Sequence, residues 1–118
     1  MKLGEKQKLF TLLVRDLISA IHAMGYECTF GDSYRDPRVH GEYGEKKSYS
    51  AAKSNHKLRL AIDLNLFDEE GNYISDGSHS AYQRIGEWWM NRHELCEWGG
   101  YGERQDANHF SLNHDGRW

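Results

Sequence analysis

Ser54-Asn55-His56-Lys57-Leu58-Arg59-Leu60-Ala61-Ile62-Asp63-Leu64-Asn65-Leu66-Phe67 is the stretch on which the reading of the whole chain turns. From Leu58 onward the residues alternate: Leu58, Leu60, Ile62, Leu64 and Leu66 share one face, and Arg59, Ala61, Asp63 and Asn65 share the other. A period of two marks a half-buried β-strand, because successive Cβ atoms leave a pleated strand on opposite sides. The leucine face is core. The Asp63 carboxylate then points away from the core beside the small Ala61, where there is room for a hydrated metal ion. His56 stands at the mouth of the strand, where a loop can fold its imidazole back towards Asp63.

Asp106-Ala107-Asn108-His109-Phe110-Ser111-Leu112-Asn113 repeats the parity, with Phe110 and Leu112 on the apolar side and His109, Ser111 and Asn113 opposite. If both strands lie in one sheet, their apolar sets meet the core together and His109 projects from the same face as Asp63. His56, Asp63 and His109 would hold three corners of a tetrahedron and leave the fourth for water, the arrangement of a catalytic zinc rather than a structural one. Asp106 falls in the turn entering the second strand, free to act as a base. His114 is the rival ligand and the poorer one, because Ser111 rather than an acid stands three residues before it.

The pattern Ser54-x-His56-x(6)-Asp63, followed far downstream by Asp106-x-x-His109, resembles the zinc D-Ala-D-Ala carboxypeptidases and the phage L-alanyl-D-glutamate endopeptidases. The resemblance runs from about Phe30 to Leu112, and the Trp98-Gly99-Gly100 run is similar to one that precedes the last ligand in many members. It implies the hedgehog/DD-peptidase fold, an α+β architecture with a small antiparallel sheet and flanking helices. It also implies zinc held by His56, Asp63 and His109, with Asp106 as general base. Ser54 and Arg35, of Ser33-Tyr34-Arg35, would belong to the substrate site, and the substrate would be a peptidoglycan peptide containing D-amino acids. Arg59 stands where many carboxypeptidase members carry Gly. The Ala61 to Phe67 run looks more like the phage endolysins, which favours an endopeptidase over a carboxypeptidase. The alternative is a non-catalytic zinc-containing module of the same fold that binds cell wall or a protein.

At 118 residues the chain reads as one domain, residues 1–118, with a single modest core. Its formal net charge of −3 and the lack of a basic cluster argue against a nucleic-acid partner, and so against a nuclease reading of Asn108-His109 and Asn113-His114. No membrane segment is expected, since the most apolar stretch, Leu9 to Met24, is interrupted by Arg15, Asp16 and His22. Residues 1–8 do not read as a signal peptide. The expectation is a monomer in the cytoplasm of the producing cell that acts on the wall after release. Cys28 and Cys96 lack CxxC spacing and read as free buried thiols.

Along the chain, Phe10, Leu13, Val14, Leu17, Ile18, Ile21 and Met24 recur at helical steps and predict a helix over 4–24 that stops at Gly25. Tyr26, Cys28 and Phe30 alternate as a short strand. The irregular stretch from Arg35 to Lys53, with the only proline at Pro37, reads as a substrate-binding rim. Asp68-Glu69-Glu70-Gly71-Asn72-Tyr73 is a turn rather than a calcium loop. A helix over about 80–95, capped by Ser78 or Ser80, would bury Tyr82, Ile85, Trp88, Trp89 and Leu95. Within it His93-Glu94 opens a helical zinc motif that Glu97 breaks, so His93 reads as a surface residue, as do His22 and His40. Cys96 to Gly100 ends that helix and turns, and Tyr101 to Gln105 would wall the cleft.

Overall fold

The computed structural model describes residues 1–47, 51–102 and 105–118. Helix α1 (Leu3–Ala23) leads into strand β1 (Glu27–Phe30), a short helix α2 (Pro37–His40), strand β2 (Ala61–Phe67), helix α3 (Ser80–Arg92) and strands β3 (Cys96–Trp98) and β4 (His109–Leu112). Single 3-10 turns form at Asn55–Leu58 and Gly99–Tyr101. Helix α1 follows its apolar period: Phe10, Leu13, Leu17 and Ile21 are buried. Gly25 ends it at φ +89, a left-handed conformation that costs glycine least, and the Tyr26 N–H closes back onto the Ile21 carbonyl.

The four strands form an antiparallel sheet in the order β1-β2-β4-β3. Ile62 lies opposite Phe110, and Asp63 lies opposite His109. That register sends the apolar residues of both central strands towards the helices and the polar pair to the other side. Leu60, Leu64, Leu66, Phe110 and Leu112 are fully buried. Trp89 of α3 joins the layers, meeting Phe10 of α1 edge to face at 6.1 Å between centroids and Phe110 at 6.3 Å. The result is the α+β class with a small antiparallel sheet and flanking helices.

Several boundaries differ from the sequence expectation. The first ligand strand begins at Ala61 rather than Leu58, because the Ser54 hydroxyl accepts the His56 N–H and starts a 3-10 turn. Arg59 ends that turn in the left-handed region at φ 57. A non-glycine residue there costs about 1–2 kcal/mol, partly offset by the guanidinium lying 4.0 Å over the Tyr34 ring.

Phe30, the last residue of the edge strand β1, is 70% exposed. Helix α3 ends at Arg92, and its cap is His79, whose Nδ1 accepts the Ala81 N–H, while Ser78 bonds to Asp76 instead. Beyond it Cys96–Trp98 is a strand, which buries the Cys96 thiol and pushes its pKa up to about 12. Both cysteines are free thiols, Cys96 buried and Cys28 partly so. The Asp68 carboxylate accepts the Glu70 and Asn72 N–H groups, as a turn requires. Residues 48–50 of the expected rim and 103–104 of the expected wall lie outside the described residues. Among the described residues no helix is long and apolar enough to cross a membrane.

Candidate metal centre

His56 comes from the 3-10 turn before β2, Asp63 from the middle of β2 and His109 from the first position of β4. The Asp63 Oδ1 lies 3.3 Å from His56 Nε2 and 3.3 Å from His109 Nδ1. One ligand atom from each residue falls within 4.8 Å of the other two. Zinc–ligand bonds of about 2.0–2.2 Å imply ligand–ligand edges of about 3.3–3.6 Å in a tetrahedron, so both edges to Asp63 have the required length. The imidazole rings of His56 and His109 stand 5.1 Å apart at 70°, leaving an opening between them and the carboxylate.

The hydrogen bonds around His56 decide what that opening suits. Its Nδ1 lies 2.8 Å from the Ser33 carbonyl, which can only accept, so Nδ1 carries the proton. A neutral His56 therefore presents the Nε2 lone pair to a carboxylate oxygen. Two acceptors at 3.3 Å repel unless a cation lies between them, either a proton on the ring or a metal ion. A carbonyl behind a ligating imidazole is also the usual way a metal-binding tautomer is fixed. Burial pushes Asp63 upward, but in the proton-filled state of the trio, with imidazolium rings at His109 and His56, their hydrogen bonds and charge outweigh it and hold its pKa at about 2. Asp63 is thus an anion at neutral pH. Two imidazoles and one carboxylate make a donor set that zinc accepts.

A cavity of about 590 Å³ opens over the trio, and its lining includes Arg35, Ser54 and Asp106. Arg35 donates from Nη1 to the Ser54 hydroxyl at 3.3 Å and from its backbone N–H to the His56 carbonyl at 3.1 Å, and its Nε pairs with Asp32 at 3.1 Å. These bonds tie Arg35, Ser54 and His56 together. Asp106 is exposed, in the turn before β4, and its carbonyl accepts the His109 N–H at 3.0 Å. Gly99 makes that turn possible: a Cβ there would overlap the Asp106 carbonyl and lie 2.9 Å from the His109 Cβ. The neighbouring Trp98 donates from its indole to the Ala107 carbonyl at 2.6 Å, which fixes the same turn to β3.

Asn55, Asn108, Arg117 and Trp118 also line the cavity, and periodicity gives no signal for any of them. The Asn55 amide holds the Leu112 and Arg117 carbonyls at 2.7 and 3.0 Å, so an irregular tail becomes part of the wall. His114 is turned elsewhere, its Nδ1 lying 3.2 Å from the Lys6 ammonium of α1. His22 is exposed, and His93 Nδ1 accepts the Leu95 N–H just beyond α3.

A family model described as D-alanyl-D-alanine carboxypeptidase matches residues 48–112. The chain belongs to this carboxypeptidase family. The matched span holds Ser54, His56, Asp63, Asp106 and His109; Arg35 lies before it and reaches the family's region through the fold. Comparison with curated proteins returned no match.

Proposed function

We propose that the chain is a zinc peptidase of peptidoglycan stem peptides, with His56, Asp63 and His109 as the zinc ligands and Asp106 as the general base. The observation that carries this reading is the convergence of that trio, its two edges at 3.3 Å, beneath a cavity that Asp106 also lines. Zinc held there supplies a Lewis acid that acidifies water and polarises a peptide carbonyl. Asp106 takes up a proton at its exposed carboxylate and returns it to the leaving amine. Arg35, held against Asp32 and Ser54, directs its guanidinium to a carboxylate or carbonyl of the bound peptide, with the Ser54 hydroxyl beside it.

Within the family, the Ala61 to Phe67 run favours an endolysin-like endopeptidase that cuts between L-Ala and D-Glu over a carboxypeptidase that frees terminal D-Ala. The same reading has the whole chain act as one monomeric peptidase domain, kept in the producing cell until release gives it access to the wall.

Mass spectrometry of fragments from defined peptidoglycan tests the assignment. The zinc-loaded protein is expected to expose a new amino terminus on D-Glu. Free D-Ala would move the assignment to carboxypeptidase, and a zinc-loaded protein that retains wall without releasing any fragment would overturn the peptidase reading in favour of a binding module.

A further inference from the structure

Lys57 follows His56 in the 3-10 turn, and it is only 6% exposed. Among the described residues its ammonium donates to backbone carbonyls alone: those of Glu42 and Ala52, each at 3.4 Å, and that of Glu45. No carboxylate among the described residues pairs with it. Taking an ammonium out of water is expensive, and neutral carbonyls compensate it less than an anion does. A methionine or leucine would fill the same space without that cost, so packing does not account for a lysine here. What the ammonium does is join segments: Glu42 and Glu45 precede residues 48–50, Ala52 follows them, and Lys57 reaches all three from the turn that holds His56.

The joined segments border the cavity. Ala51, Lys53 and Ser54 line it, and Gly44 donates to the same Ala52 carbonyl that accepts from Lys57. We propose that Lys57 is a positioning residue, a latch by which its ammonium fixes the rim around Glu42, Glu45 and Ala52 to the turn carrying His56. The inference rests on the peptidase reading for its role in catalysis: a substrate then meets a wall already formed instead of ordering one on binding, which lowers KM without touching the chemical step. Among the described residues the Lys57 ammonium bonds to those backbone carbonyls and not to the proposed ligand atoms or reacting groups.

The test compares Lys57→Met, which keeps the apolar stem and loses the donors, with Lys57→Arg, which keeps a cation. Zinc content, kcat, KM on a stem peptide and the rate of tryptic cleavage after Lys46 and Lys47 are measured. The Met variant is expected to hold zinc as the wild type does and to keep kcat within about twofold, while KM rises about tenfold. Its tryptic cleavage is expected to quicken by about tenfold, since proteolysis tracks the population of the opened segment. The Arg variant should recover most of both losses.

A zinc-replete Met variant with unchanged KM and unchanged cleavage overturns the latch. Loss of zinc together with kcat also overturns it, by making Lys57 part of the support of the ligand turn. Should the Met variant fail to fold, Lys57→Gln is read by the same criteria. If the wild type cleaves no stem peptide, the peptidase reading fails separately, and equal tryptic rates in wild type and variant still decide against the latch.

Discussion

As the proposed general base, Asp106 would have to satisfy two demands that pull apart: closeness to the proposed metal ligands and access to water for its own carboxylate. It meets both because the backbone, not the side chain, makes its structural bond, the Asp106 carbonyl accepting the His109 N–H at 3.0 Å. Asp106→Asn therefore leaves the turn intact and removes only the proton acceptor. We expect kcat to fall by about 10²–10⁴, the usual contribution of a general base, with zinc per chain unchanged. Turnover assays together with metal analysis check this, and a wild-type rate in that variant would remove Asp106 from the mechanism. His56 illustrates how much of a residue's role the sequence carries. Its spacing from Asp63 is legible, whereas the nitrogen it presents is not, because the Ser33 carbonyl that selects it lies 23 residues away and makes no pattern.

Among the elements, β2 and β4 are legible because the Leu and Phe parity survives into the sheet, along with the face on which Asp63 and His109 stand. The start of β2 is not, since Leu58 and Leu60 keep that parity while sitting in and after a 3-10 turn. Three-residue β3 is too short to show any period, and its role comes from Trp98 instead. The indole packs on Gly86 of α3, where a Cβ would overlap it, and bonds to Ala107 in the turn before His109. Gly99 continues this arrangement on the other side of the turn. Gly99→Ala should cost about 1–3 kcal/mol, as overpacking does, and lower activity at least tenfold by pushing Asp106 and His109 apart. Gly4→Ala is the control, because nothing lies within 4 Å of a Cβ there and α1 gains up to about 1 kcal/mol in helix propensity. Urea unfolding and peptide turnover of the two variants are the measurements, and equal stability would mean the turn has more room than the Gly99 contacts allow.

At the scale of the whole molecule, the candidate centre ties together a turn and both central strands, with His109 46 residues beyond Asp63. A ligand set built from distant segments does not exist in the unfolded chain, so the free energy of metal binding is added to folding. With free zinc at a hundred times its Kd, the gain is about 2.7 kcal/mol. For a chain of this size that corresponds to a rise in Tm of roughly ten degrees. Calorimetry with added zinc and with EDTA should show this difference in the wild type and lose it in His56→Ala. The substitution also tests the apposition of His56 Nε2 and Asp63 Oδ1 at 3.3 Å, which needs a cation between its two acceptors. A wild-type Tm indifferent to both zinc and chelator would identify that cation as a proton on the imidazole, and the trio as a structural ion pair rather than a metal centre.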